Sequence, residues 1–168
     1  MVADVIRLLL FPALMAFAAS SDFLTMTISN KVSLALVAGF LGLVLLTGMS
    51  PVDVASHVGA GGVVLVVAFV LFSCGWIGGG DAKLAASTAL WFGFDHLLPY
   101  LIDASLLGGA LTLLLIYLRL TPLPPALQGR RWAERLHEKN GGIPYGIALA
   151  VAALLVYPDT MWMKALGA

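Results

Sequence analysis

Gly78-Gly79-Gly80-Asp81-Ala82-Lys83 interrupts a chain that is otherwise almost continuously apolar. From Val54 to Gly80 there is no Asp, Glu, Lys or Arg, and Asp81 follows directly behind three glycines. An uncharged run of that length reads as a membrane-spanning helix, and the carboxylate that ends it requires an explanation. The simplest one is an N-cap, with Asp81 accepting backbone N–H bonds at the start of the next helix. The alternative is a functional acid, because an ionisable residue beside a bilayer is costly unless it is used.

Composition supports the membrane reading. Of 168 residues, 61% are hydrophobic and 11% charged, with a mean hydropathy of +1.00. A soluble domain carries about a quarter charged residues. The length suits one helical bundle, residues 1–168, without a second sizeable domain. Formal net charge is zero, so nothing points to nucleic acid. The single cysteine, Cys74, excludes an intrachain disulfide and a Cys-rich zinc site. The first apolar run follows Asp4 and Arg7 without a strong basic stretch, and reads as a retained span rather than a cleaved signal.

Uncharged runs give an all-α, polytopic bundle of about six spans. They cover about Val5–Ser21, Val32–Thr47, His57–Ile77, Leu84–Phe94, Ala104–Leu118 and Ile143–Tyr157. The loops after spans one, three and five hold Lys31, Lys83, Arg119, Arg130, Arg131, Arg135 and Lys139, against Arg7 and Lys164 elsewhere. By the positive-inside rule, loops at about 20–31, 78–83 and 119–142 are cytoplasmic and both termini lie outside. Arg130 to Leu136 within the last loop reads as a short basic amphipathic helix on the anionic leaflet, or as a solvated loop obeying the charge rule. Trp76, Trp91 and Trp162, near span ends, suit the interfacial belt.

This topology puts Asp22 and Asp81 on one side, as the only acids of the first two cytoplasmic loops. Asp4, Asp53, Asp95 and Asp103 fall on the other side. Two carboxylates brought together at a bundle rim share one proton between them. An aspartic peptidase uses that arrangement, with one carboxylate as base on water and the other as acid toward the carbonyl oxygen. Glycines before Asp81 let a peptide lie close to backbone. Rival chemistries are not announced: there is no Gly-x-Ser-x-Gly, and His137-Glu138-Lys139-Asn140 lacks the second histidine of a zincin helix.

The sequence Gly78-Gly79-Gly80-Asp81-Ala82-Lys83-Leu84 resembles the Gly-x-Gly-Asp signature of the type IV prepilin peptidase family. Asp22 followed by Ile28-Ser29-Asn30, and Ile143-Pro144-Tyr145-Gly146-Ile147-Ala148, are similar to that family's upstream and downstream anchors. Ser29 stands where proline is usual, and the Phe23–Thr27 stretch is apolar where basic residues are common. The resemblance implies cleavage of the basic leader of pilin or pseudopilin precursors at the cytoplasmic border of their apolar helix, in the bacterial inner membrane. Asp22 and Asp81 take the catalytic places. The chain looks like the short, peptidase-only form serving Flp or tight-adherence pili, without the methyltransferase domain; archaeal preflagellin peptidases are similar. No metal or other cofactor is expected, and the partners are the prepilin helix and membrane lipids.

Around the acids, Gly78 and Gly80 shape the site, and Pro144 and Gly146 set backbone near it or simply begin a helix. Lys83 serves the acid pair or only topology. Asn30 supports the loop carrying Asp22 or caps the second span. Two other classes share these features. A small transporter or channel would line a water path with acids at membrane depth, and none lies between the rims. A non-catalytic assembly subunit would use Asp22 and Asp81 only as caps.

Overall fold

The computed structural model describes residues 2–139 and 141–166, and among these every regular element is helical. Met1, Asn140, Gly167 and Ala168 lie outside the described residues, and with them the expected placement of the two chain ends. The chain opens with α1 (Val2–Val5), a π-turn (Ile6–Leu10) and α2 (Phe11–Thr25), which run on as one apolar helix. The π-turn falls just before Pro12, whose nitrogen has no proton to give the preceding turn. At the other end Met26 adopts a left-handed conformation, φ 52°, and its N–H closes the helix on the Asp22 carbonyl at 2.8 Å.

Helix α3 (Asn30–Thr47) is capped by Ser29, whose hydroxyl accepts the Lys31 N–H. Helix α4 (Pro51–Ser73) begins with Pro51 in its first turn and a reciprocal pair: Ser50 accepts the Asp53 N–H and donates to the Asp53 carboxylate at 2.7 Å. Ser50 is therefore the N-cap and Asp53 its partner in the first turn.

Helix α5 (Gly79–Arg119) is 41 residues long but broken at Gly93, where φ is 61° and ψ is −175°. In an unbroken helix the Phe94 N–H would bond the Leu90 carbonyl. Here α4 supplies both missing partners. The Leu90 carbonyl accepts from His57 Nδ1 at 2.9 Å, and the Phe94 N–H donates to Ser56 Oγ at 3.3 Å. A β-carbon on Gly93 would stand 2.9 Å from the His57 ring, so the position demands glycine for space as well as for φ. After the break the chain folds back. Phe92 and Tyr100 meet edge to face at 5.1 Å, and Ala85 and Asp81 share a groove with Leu101 and Ser105.

Among the described residues, four helices are long and apolar enough to cross a membrane: Val2–Thr25, Asn30–Thr47, Pro51–Ser73 and Gly79–Arg119, with the shorter apolar stretch Tyr145–Asp159 besides. Dividing α5 at Gly93 restores the expected fourth and fifth segments. The loop expected beyond Phe94 does not exist, however, since Asp95, His96 and Asp103 are helical. A single glycine makes the turn. The first limb of α5 rises only about 21 Å, well short of the roughly 30 Å of a hydrocarbon core.

Beyond Arg119, α6 (Arg131–His137) matches the expected basic helix, but its apolar side faces protein. Trp132 packs on Phe23 at 5.1 Å, and Arg135 donates to the Leu24 carbonyl at 2.8 Å. Helix α7 (Tyr145–Val156) runs beside α5 and α2, and α8 (Met161–Lys164) turns Trp162 back into the bundle.

Of the tryptophans expected in an interfacial belt, Trp76 is 73% exposed. Trp91 and Trp162 are fully buried, because each indole N–H has a carbonyl to bond inside: Leu36 at 2.9 Å and Trp91 itself at 2.6 Å. Phe11 stacks on Tyr157 at 4.3 Å beside them, and the Tyr157 hydroxyl bonds the Arg7 carbonyl in the π-turn at 2.8 Å. These rings form the packed end of the bundle.

Candidate active site

Asp22 lies in the last turn of α2, only 4% exposed. Its Oδ2 accepts the Gly146 N–H at 2.7 Å. Gly146 is in the first turn of α7, where backbone amides have no partner within their own helix and the helix dipole favours a negative group. Pro144 immediately precedes that helix, buried, and needs no N–H of its own there. A carboxylate on one helix thus closes the N-terminus of another, 124 residues along the chain. No side chain fits at position 146. A β-carbon there would be 2.7 Å from Asp22 Oδ2 and 2.5 Å from Ile28 Cδ1.

Asp81 sits in the first turn of α5. The N-cap is Gly78, not Asp81, and the carboxylate reaches back over it, with Oδ2 2.8 Å from where a Gly78 β-carbon would be. That is the backward reach an acid makes at the third position of a helix. Gly80 presses against Ile28, with 3.2 Å to a built β-carbon. Ile28 is therefore wedged between Gly80 and Gly146, and it draws together the turn after α2 and the starts of α5 and α7. Asp81 lies within electrostatic reach of both the Asp22 carboxylate and the Gly146 amide. Asp22, Asp81, Gly78, Gly80, Pro144 and Gly146 form one cluster.

Lys83 and Asn30 do not join it. The Lys83 ammonium donates to Asn30 Oδ1 at 2.9 Å, on the flank of α5 that faces α3 and α4. The helical step from Asp81 to Lys83 turns the two side chains to different sides of the helix. Asn30 does not cap α3, because Ser29 does, and its side chain serves the lysine instead.

Sequence reasoning passed over two contributors. Ile28 was legible only as part of an anchor, and its apolar side chain gives no chemical signal. Arg119, read as a topology charge, fastens the approach to α7. Its guanidinium donates to the carbonyls of Leu136, Gly141 and Gly142 at 2.8, 3.0 and 2.7 Å. An arginine closing an apolar run before Pro122 looks the same in sequence whether it faces water or gathers a loop.

The sequence profile of the Type IV leader peptidase family matches residues 9–113, well over half of the 168. The chain belongs to that family: it is a leader-peptidase-type protease built as a membrane helix bundle. The match holds both acids and the Gly78–Asp81 stretch, and it ends before Arg119 and Gly146. No curated protein and no solved structure matches the chain.

Proposed function

We propose that this protease is an aspartic endopeptidase that removes the basic leader of type IV prepilins, of the Flp kind, at the cytoplasmic border of the bacterial inner membrane. Asp22 and Asp81 are its acid pair. One observation carries the reading: two carboxylates from separate helix ends, Asp22 held by the Gly146 amide and Asp81 folded back over Gly78, lie within electrostatic reach of each other. Pure capping would need neither that closeness nor the glycines that clear space for both acids.

In the proposed reaction one carboxyl enters ionised and the other protonated. The ionised group takes a proton from water as its oxygen attacks the scissile carbonyl carbon. The protonated group gives its proton to the carbonyl oxygen, forming a tetrahedral diol. Collapse of that diol breaks the C–N bond: one diol hydroxyl returns its proton to the second carboxylate, and the proton taken from water passes from the first to the leaving amine, so the pair is restored. The Gly146 N–H holds Asp22 in place throughout. The Gly146 bond to Asp22 and the close seating of Asp81 over Gly78 position both carboxyls before substrate arrives, the preorganisation that proton transfer rewards.

The test uses membranes carrying the wild type, Asp22→Asn or Asp81→Asn, incubated with a type IV pilin precursor. Each variant is expected to lose cleavage by about 10³-fold. Cleavage at the wild-type rate in either one would contradict the acid pair.

A further inference from the structure

Two grooves flank the first limb of α5, and their contents differ. The larger, about 520 Å³, lies against α3 and α4 and carries Lys83 and Asn30 at its head, above Leu34 and Gly62. The other, about 460 Å³, lies between the two limbs of α5, with the end of α4 on one side and the start of α7 on the other. Asp81 lines it, together with Leu101, Ser105, Gly109 and Leu149. Only this second groove contains one of the two acids.

A substrate cut at the base of its apolar helix carries the scissile bond and the helix in one continuous chain. The groove that receives the helix therefore has to open onto the acids. Volume alone would favour the larger groove, but position excludes it, since its polar head is the Lys83–Asn30 pair on the far flank.

The wall of the smaller groove also suits a helix. Gly108 is taken up inside the protein by the Tyr145 ring, 3.2 Å from a built β-carbon. Gly109, its neighbour, is exposed, and a β-carbon there would meet nothing within 4 Å. No internal contact requires Gly109 to be small. Ser105, four residues earlier and also exposed, lies on the same helical face. Small residues at that spacing let a second helix approach closely inside a bilayer, where packing rather than the hydrophobic effect drives association. The Ser105 hydroxyl is already bonded to the Leu101 carbonyl at 2.6 Å, so the wall offers no unpaired hydroxyl to an apolar partner.

We propose that the apolar helix of the pilin precursor seats in the groove between the two limbs of α5, over Ser105 and Gly109, with its scissile bond beside Asp81. This rests on the aspartic reading of the site and names where its substrate lies.

The experiment fills each groove in turn, using a type IV pilin precursor that wild-type membranes process. Gly62 is the control, since a β-carbon there also meets nothing within 4 Å. Gly109→Leu is expected to lower cleavage tenfold or more, as a misplaced scissile bond does, and Gly62→Leu to stay within about twofold, both folding as the wild type does. In parallel, Ser105→Cys and Leu34→Cys are placed in a Cys74→Ser, Asp81→Asn background, and the precursor carries one cysteine in its apolar helix. Oxidation is expected to link the precursor to Ser105→Cys and not to Leu34→Cys. Full cleavage by Gly109→Leu, a link through Leu34→Cys, or a Ser105→Cys link only between two copies of this chain would each overturn the proposal. Retained cleavage by the Asp22→Asn and Asp81→Asn enzymes would instead sink the acid pair, and the disulfide pattern would still decide the groove.

Discussion

The two ends of the bundle hold their helices together by opposite means. At the aromatic end, Phe11, Trp91, Tyr157 and Trp162 fill the interior, and the side-chain hydrogen bonds serve to bury rings or to mend a broken helix. At the acid end, roughly 15 Å along the same helices, large side chains give way to Gly78, Gly80 and Gly146, and carboxylates approach backbone directly. Tight ring packing tolerates few arrangements, so the aromatic end can hold α2, α5 and α7 in fixed register. That leaves the acid end free to be built from small residues and charged groups that contribute little packing of their own. Stability and chemistry are thereby separated along the helix axes.

Variants can break or sharpen that division. The largest effect expected is on stability, from Trp162→Ala, which empties a fully buried site and frees the Trp91 carbonyl. A loss of about 3–5 kcal/mol is expected, read as a lower thermal midpoint in detergent. Cleavage per folded molecule should stay within about twofold, so a specific loss of turnover would blur the two ends. Gly146→Ala should do the reverse. Its methyl group would collide with Asp22 Oδ2 and Ile28, and cleavage is expected to drop about a hundredfold, with the thermal midpoint moved far less than by Trp162→Ala. His57→Ala leaves the Leu90 carbonyl without its partner at the α5 break, at a cost of about 1–3 kcal/mol measured in the same melt. Lys83→Ala should be mildest. It removes an exposed bond to Asn30 worth under about 1 kcal/mol, and cleavage should stay near the wild-type rate. A collapse of activity in Lys83→Ala would place that lysine with the acids after all.

The acid end was the more legible of the two in sequence. A carboxylate behind three glycines in an uncharged run is conspicuous, and the distribution of basic residues places Asp22 on the same rim. Gly146 was legible from its Pro144-Tyr145-Gly146 context, though not its amide as the donor to Asp22. The aromatic end was misread. A tryptophan near the end of an apolar run looks the same whether it meets lipid headgroups or a carbonyl inside the bundle, and Trp91 and Trp162 do the latter. Gly93 gave no warning because one glycine between Phe92 and Phe94 reads as a packing position. Only the His57 and Ser56 partners from α4 reveal that the helix stops and restarts there. For Lys83 the sequence left two readings open, and the structure bonds it to Asn30, because closeness in sequence to Asp81 is not a shared helix face.

The central claim is that Asp22 and Asp81 act as one unit. The measurement that tests it most directly is the cleavage rate of one pilin precursor by the wild type, Asp22→Asn, Asp81→Asn and the double variant. Groups that act together lose nearly everything at the first substitution. The account predicts that both single variants fall to the same residual rate and that the double variant falls no further. Losses that multiply in the double variant, or a single variant that keeps most of the wild-type rate, would contradict it.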